Sequence, residues 1–132
     1  MLIADDSLVW LTALSMKLRS HGYDVVVCRQ GARIVSAARS EKPDLILLDI
    51  NFPPDVENGG EEAWDGLLIL EWLRRLDETR DARVIVITGE DPSQYRARSF
   101  AAGAVGFFEK PVRPGALLSA IHLALKEPRQ EG

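Results

Sequence analysis

The stretch from residue 43 to residue 49 constrains the fold more than any other part of this chain. Four consecutive large apolar residues, Leu45 to Leu48, follow a Pro-Asp pair and end on Asp49. An apolar run of this length, bounded by a proline and charged residues, predicts a short strand buried on both faces, as in the middle of a parallel sheet. In open α/β sheets, ligands gather beyond the carboxyl ends of such strands. Asp49 is therefore either the cap of a turn or a functional carboxylate.

Strand-like and helix-like segments alternate along the whole chain. The predicted strands cover residues 1–4, 23–28, 45–49, 83–88 and 103–109. The predicted helices cover residues 8–21, 31–42, 67–76, 91–102 and 114–125, with an irregular stretch at 50–64. Five β-α units of this kind predict a flavodoxin-like, doubly wound α/β sandwich, in which five helices cover a five-stranded parallel sheet.

The expected strand order places several polar residues at one edge of the sheet. The common order is 2-1-3-4-5, and a site is expected where the chain reverses its direction, between the first and third strands. Those strands deliver Asp5-Asp6 and Asp49, while the fourth and fifth strands bring Thr88 and Lys110 to the same edge. The periodicity of the chain and the positions of its polar residues thus indicate the same place.

The chemistry of these five side chains favours phosphoryl transfer. Three carboxylates that crowd together repel one another, which raises some of their pKa values unless a cation compensates. Mg²⁺ (or Mn²⁺) does so, because it prefers oxygen ligands and is held by one or two carboxylates plus a phosphate. A lysine and a threonine hydroxyl can bind further phosphate oxygens. With Asp49 as the nucleophile, the set predicts a site that takes a phosphoryl group onto a carboxylate.

Composition limits the class of protein. The 132 residues suit one domain, and 46% hydrophobic with 27% charged residues is typical of a soluble globular protein. Cys28 is the only cysteine, so an intrachain disulfide is excluded, and its apolar surroundings predict a buried, inert thiol. Without a membrane-spanning run or a recognisable signal peptide, the sequence favours the cytoplasm over a membrane or export. The net charge of −4 argues against nucleic-acid binding by this domain.

Short motifs carry a resemblance to a known family. They are Asp5-Asp6-Ser7, the Leu-Leu-Asp-Ile-Asn run at 47–51, Asp65-Gly66, Thr88-Gly89, Gly103-Ala104 and the Phe-Glu-Lys-Pro run at 108–111. Each motif is weak alone, but their order and spacing together are specific. From residue 2 to about residue 126, the chain resembles the receiver domain of two-component response regulators.

The resemblance implies roles for the acidic residues of the predicted site and for Asn51. Asp49 would accept a phosphoryl group from a phosphohistidine on a sensor histidine kinase or a histidine phosphotransfer protein. Asp6, Asp49 and the backbone carbonyl of Asn51 would bind Mg²⁺ directly, and Asp5 would bind it through water. Asn51 and Glu90 also flank the site, where either could steer the water that attacks during dephosphorylation.

The resemblance also implies a switch. Thr88 and Lys110 would contact the phosphoryl oxygens, and the Lys110-Pro111 peptide would be cis. In the family, the threonine moves toward the phosphate and an aromatic residue three before the lysine turns inward. That residue is Phe107 here, where tyrosine is common, so its two states are expected to be less well separated. The alternative is that Phe107 and Phe108 simply alternate between the two faces of a strand.

Two helical surfaces are candidates for docking. Val9, Trp10 and Ala13 lie on the first helix, which docks the phosphodonor in the family, although extra core packing is an equal interpretation. The fourth helix is expected to present Tyr95 and Arg96 outward, beside the last strand. Family members use the face of the fourth helix, fifth strand and fifth helix to dimerise or to dock a target; an ordinary solvated face is the alternative.

The chain departs from the family pattern in one loop. Asp49 and Asp65 are sixteen positions apart, several more than the family usually has, and no Lys or Arg occurs from residue 50 to residue 73. A mobile, solvated loop is one interpretation of this acidic 52–64 insertion. A lid that changes partner choice or phosphoryl lifetime is the other.

The sequence thus predicts a receiver domain over residues 1–126, with 127–132 as a tail or the start of a linker. Its expected function is a phosphorylation-controlled switch rather than an enzyme, either as a single-domain regulator or as a piece of a longer protein with an output domain. A pseudo-receiver that is never phosphorylated, and acts only as a binding module, is the alternative. A phosphatase of the dehalogenase type is disfavoured, because it expects aspartate where Asn51 stands.

Overall fold

The structure, a computed structural model, describes residues 1–5, 7–52, 64–89 and 92–126. Helices separate the strands of its main sheet along the chain. In chain order the elements are β1 (Leu2–Ala4), α1 (Leu8–Ser20), β2 (Val26–Cys28), a 3₁₀ turn (Gly31–Arg33), α2 (Ile34–Glu41), β3 (Leu45–Asp49), β4 (Asn51–Phe52), β5 (Trp64–Asp65), α3 (Gly66–Arg75), β6 (Arg83–Thr88), α4 (Pro92–Ala101), β7 (Gly106–Glu109) and α5 (Pro114–Lys126). No helix of these described residues is long and apolar enough to cross a membrane.

Five of the strands form one parallel sheet, in the order β2-β1-β3-β6-β7. This is the predicted 2-1-3-4-5 order, so the flavodoxin-like fold class is confirmed. The central strand β3 pairs with β1 on one side and β6 on the other, where Leu47 lies opposite Ile3 and Ile85. The carboxyl ends of β1 and β3 therefore stand side by side at the point where the strand order reverses.

Two apolar layers hold the sheet between the helices. Ile46 and Leu48 of β3 belong to the layer under α2, α3 and α4, whereas Leu45 and Leu47 belong to the layer under α1 and α5. All four side chains are at most 1% exposed, as predicted for a strand buried on both faces. Burial of each contributes roughly 1.5–3 kcal/mol relative to exposure. The strand that ends on Asp49 is thus the most firmly fixed part of the sheet.

Capping residues set the limits of the helices. The hydroxyl of Ser7 accepts a hydrogen bond from the backbone N–H of Trp10, which caps α1. Gly22, with a φ of +88°, follows the end of α1, and Lys42 ends α2 in the left-handed conformation. The predicted second helix begins later than expected, at Ile34, because residues 31–33 form a 3₁₀ turn.

Two predicted strands were too long, and one pair of strands was missed. The backbone N–H of Tyr23 donates to Leu18 and that of Ala104 to Ser99, so the residues before β2 and β7 belong to the ends of the preceding helices. The stretch expected to be irregular contains β4 and β5, which pair antiparallel at its two ends. Residues 53–63 of the acidic insertion, and the tail at 127–132, lie outside the described residues.

Candidate functional site

Three of the predicted site residues meet at the carboxyl edge of the sheet. The ammonium Nζ of Lys110 lies 2.7 Å from Oδ2 of Asp5 and 3.3 Å from Oδ2 of Asp49. Asp5 follows β1, Asp49 ends β3 and Lys110 follows β7, so the strand order brings them together from distant parts of the chain. The carboxylates are buried, at 1% and 5% exposure, while the lysine side chain keeps a quarter of its surface in solvent.

Backbone hydrogen bonds hold these residues in place. Oδ1 of Asp5 accepts from the N–H of Ser7, and the N–H of Asp5 donates to the carbonyl of Cys28. The backbone N–H of Lys110 donates to the carbonyl of Thr88, 2.8 Å away, which ties the lysine to the end of β6. The Lys110–Pro111 peptide bond is cis, the form that the family resemblance implies. The site therefore rests on the ends of the strands rather than on a free loop.

The charges of Lys110, Asp5 and Asp49 do not balance among themselves. Burial lowers the pKa of Lys110, but the hydrogen bond that its ammonium donates to Asp5 and the charges of Asp49 and Asp5 outweigh burial and raise the pKa above its ordinary value. The lysine is therefore fully charged at neutral pH, yet one ammonium faces two buried carboxylates. Such an excess of negative charge, carried by oxygen ligands, fits a hard divalent cation such as Mg²⁺.

Three of the predicted site residues lie wholly or partly outside the described part of the chain. Asp6 and Glu90 lie outside the described residues, as does the side chain of Asn51. The backbone of Asn51 begins β4, two positions after Asp49, which keeps its carbonyl close to the end of β3 along the chain. Within the residues that the structure does describe, no three or more His, Cys, Asp or Glu residues are grouped so that they could hold a metal ion.

The two predicted switch residues lie on the same side of the sheet. Thr88, the last residue of β6, is fully buried. Phe107 lies opposite Val86, and both belong to the apolar layer under α2, α3 and α4. Because alternate residues of a strand share a face, the side chain of Thr88 points to the same side as Val86 and Phe107. Phe108 packs in the other layer, so the two phenylalanines do alternate between the faces.

The predicted docking surfaces are only partly exposed. On α1, Val9 is 82% exposed and Ala13 is exposed, whereas Trp10 is half-buried. On α4, Arg96 is exposed, but the expectation for Tyr95 was wrong, because this residue is half-buried and packs against the apolar layer. Tyr95 is drawn inward since α4 must cover the β7 side of the sheet with at least one large side chain.

Two contacts were missed by the sequence analysis. The Nζ of Lys110 lies 5.8 Å from the centre of the Trp10 ring, so this tryptophan borders the candidate site. The guanidinium of Arg96 lies over the rings of Phe100 and Phe107. Only the second contact had a local signal, because Arg96 and Phe100 are four residues apart on one helix.

A doubly wound sheet with a buried carboxylate pair and a lysine at its switch point defines a narrow class of proteins. The family model of the response regulator receiver domain matches residues 1–122, and this chain belongs to that family. Receiver domains of this kind are signalling domains that work with histidine kinases and generally depend on Mg²⁺.

The chain is similar both to proteins of about its own length and to longer proteins. Protein PilH of Pseudomonas aeruginosa is 32% identical over 124 residues, which cover 94% of this chain and 95% of PilH. A putative transcriptional regulator of the same organism is also 32% identical, over 94% of this chain, but the chain spans only 55% of its length. The BeF3-activated N-terminal receiver domain of Klebsiella pneumoniae RstA is 28% identical, with a TM-score of 0.80 over 96% of this chain and 97% of that one.

Proposed function

We propose that this chain is a phosphorylation-controlled switch in which Asp49 accepts a phosphoryl group from a phosphohistidine of a sensor histidine kinase or a histidine phosphotransfer protein. The observation that carries the proposal is the contact of one ammonium, Lys110, with two buried carboxylates, Asp5 and Asp49. A buried carboxylate pair of this kind has a clear use when a divalent cation balances both its own negative charge and that of a transferred phosphoryl group.

The transfer exchanges one bond to phosphorus for another. An oxygen of Asp49 attacks the phosphorus atom, the P–N bond of the phosphohistidine breaks, and its electron pair returns to the imidazole, which then takes up a proton. Lys110 leaves Asp49 and donates to a phosphoryl oxygen, and the hydroxyl of Thr88 donates to another. The charge of Lys110 at neutral pH supports this role, since it needs no proton before it can bind the new group.

Mg²⁺ (or Mn²⁺) would be held by Asp5, Asp6, Asp49 and the backbone carbonyl of Asn51. When bound, it neutralises the carboxylates and the charge that develops on the phosphoryl oxygens. The chain's own part is to keep the carboxylates buried and close together. Asn51 and Glu90 are proposed to tune the later attack of water, which sets the phosphoryl lifetime.

The signal is proposed to pass through Thr88 and Phe107 to the face formed by α4, β7 and α5. That face would then control a second copy of the chain, another protein or an output domain in a longer protein. Val9, Trp10 and Ala13 on α1 are proposed to meet the phosphodonor. The phosphoryl group remains on Asp49 until water removes it, so the domain acts as a signalling switch rather than as an enzyme that releases a product at each turnover. The proposed location of this switch is the cytoplasm, and the domain itself is proposed to bind no nucleic acid.

The intact mass of the protein after incubation with acetyl phosphate tests this proposal. One added phosphoryl group is expected with Mg²⁺, and none after Mg²⁺ is chelated. Asp49→Asn is the matched control, because it changes one oxygen to a nitrogen and keeps the size of the side chain. If a genuine kinase donor also leaves the wild-type mass unchanged, the chain is a pseudo-receiver that acts by binding alone.

A further inference from the structure

The guanidinium of Arg96 lies over two aromatic rings at once. It is 5.4 Å from the centre of the Phe100 ring and 5.9 Å from the centre of the Phe107 ring. Both distances are within the range of a cation–π attraction, and arginine stacks on aromatic faces better than lysine does. Arg96 is therefore engaged with the side chains beside it and is not simply a solvated charge.

This contact joins the surface of α4 to a buried residue of β7. Arg96 is exposed and Phe100 is 42% exposed, whereas Phe107 is only 9% exposed. Phe107 thus has its ring under α4, with the guanidinium across its outer side. For the ring to swing out to the surface, it would have to displace or lose the Arg96 contact.

The ring cannot be fixed by a hydrogen bond. A phenylalanine has no hydroxyl, so packing and the cation–π contact are the interactions that can favour one ring position over the other. Phe107 also shares its side of the sheet with Thr88. Val86 lies opposite Phe107 in β6, and Thr88 is two residues beyond Val86 on the same face of that strand. A force on the Phe107 ring therefore acts close to the residue that is proposed to move toward the phosphoryl group.

We propose that Arg96 is a positioning residue that holds Phe107 in its buried orientation before phosphorylation. This inference rests on the proposed function, in which the buried orientation accompanies the phosphorylated state. By favouring that orientation in advance, Arg96 raises the fraction of molecules that are ready to accept a phosphoryl group. A single exposed cation–π contact changes the ratio of the buried to the outward ring orientation roughly two- to fivefold.

A double-mutant cycle tests the inference. Arg96→Gln removes the charge, and Arg98→Gln is the matched control, because Arg98 is also exposed on α4 and no ring contact is found for it in the described part of the chain. Arg96→Gln is expected to slow phosphorylation by subsaturating acetyl phosphate roughly two- to fivefold, and Arg98→Gln to leave the rate unchanged. In a Phe107→Leu background, Arg96→Gln should have no further effect.

The position of the ring is measured separately from phosphorylation. In protein labelled with 4-fluorophenylalanine, the ¹⁹F resonance that Phe107→Leu removes belongs to Phe107. That resonance is expected to shift in Arg96→Gln and to stay in place in Arg98→Gln. An unshifted resonance, or a slower rate that persists in the Phe107→Leu background, overturns the role of Arg96. Wild-type protein that takes up no phosphoryl group contradicts the proposed function instead, and the resonance still tests the contact.

Discussion

Lys110 binds Asp5 more closely than it binds Asp49, with Nζ–Oδ2 distances of 2.7 Å and 3.3 Å. The lysine is thus anchored mainly on the carboxylate that is not the proposed acceptor. Asp49 keeps the weaker contact, which is the one that must break before its oxygen can attack phosphorus. The same ammonium also competes with any cation for both carboxylates.

The first prediction follows from this competition. Lys110→Met removes a positive charge next to the carboxylates, so Mg²⁺ should bind roughly tenfold more tightly. Two unit charges 4 Å apart interact by about 1 kcal/mol in water and about 4 kcal/mol near a protein surface, a range that includes the roughly 1.4 kcal/mol of a tenfold change. Isothermal titration calorimetry measures the affinity. Lys17→Met is the control, because Lys17 is exposed on α1. Equal or weaker Mg²⁺ binding by Lys110→Met would contradict the assigned charge balance.

The second prediction concerns the residue that packs behind the acceptor strand. A Cβ on Gly66 would lie 2.4 Å from the backbone Cα of Ile50, so Gly66→Ala should lower the free energy of unfolding by about 1–3 kcal/mol or more. Urea unfolding measures this loss. Gly115→Ala in α5 is the control, since a Cβ there meets nothing within 4 Å and should be neutral or stabilising by about 0.4–1 kcal/mol. Equal stability of the Gly66 variant would show that the two segments are not in close contact.

The third prediction concerns the hydrogen bonds that Arg74 forms at the end of the sheet opposite the candidate site. Its guanidinium donates to the carbonyls of Arg80, Ala82 and Gly103, all at 2.7–2.8 Å. Burial lowers the pKa of Arg74, but an arginine stays charged at neutral pH. Arg74→Met leaves three carbonyls without this donor and should cost about 2–4 kcal/mol in chemical unfolding.

Arg74→Lys should recover only part of that loss, because the compact lysine ammonium cannot donate to all three carbonyls, which are placed to match the planar guanidinium. Arg75→Met, at the exposed neighbouring position, should change the free energy of unfolding by less than about 0.5 kcal/mol. If Arg74→Met were as stable as Arg75→Met, the hydrogen bonds of Arg74 would contribute nothing to the free energy of unfolding.

The fourth prediction is a pH dependence from Cys28. Burial raises the pKa of this thiol above its ordinary value of 9.0, against the smaller opposing effects of a backbone hydrogen bond at Gln30 and the charge of Arg33. Because the folded pKa is the higher one, the stabilising contribution is complete below pH 9 and is lost as the pH rises toward the folded pKa. The difference in Tm between wild type and Cys28→Ala should therefore shrink as the pH is raised above 9. A constant difference would mean that the thiol ionises equally in both states.

Much of the fold could be predicted because the strongest signals were local. The apolar runs that became β3 and β6 have the bounds that their sequences predict, since a strand buried on both faces admits no polar residue until it ends. The strand order then required the ends of distant strands to meet, which brought Asp5, Asp49 and Lys110 to one edge.

The remaining features depend on contacts that no sequence pattern contains. The β4–β5 pair has two residues in each strand, too few to show any periodicity. The contact between Trp10 and Lys110 joins residues a hundred positions apart, and it exists because α1 and the turn after β7 lie on the same side of the sheet. Tyr95 was expected on the outer face of α4 together with Arg96, whereas packing against the sheet decided its position.

The most direct test of the central claim is to locate the phosphoryl group. Borohydride reduces an aspartyl phosphate to homoserine, so protein treated with acetyl phosphate and Mg²⁺ is reduced, digested and sequenced by tandem mass spectrometry. Homoserine at position 49, absent when Mg²⁺ is chelated, is the predicted result. An unmodified Asp49, or homoserine at another aspartate, would contradict the account of this site.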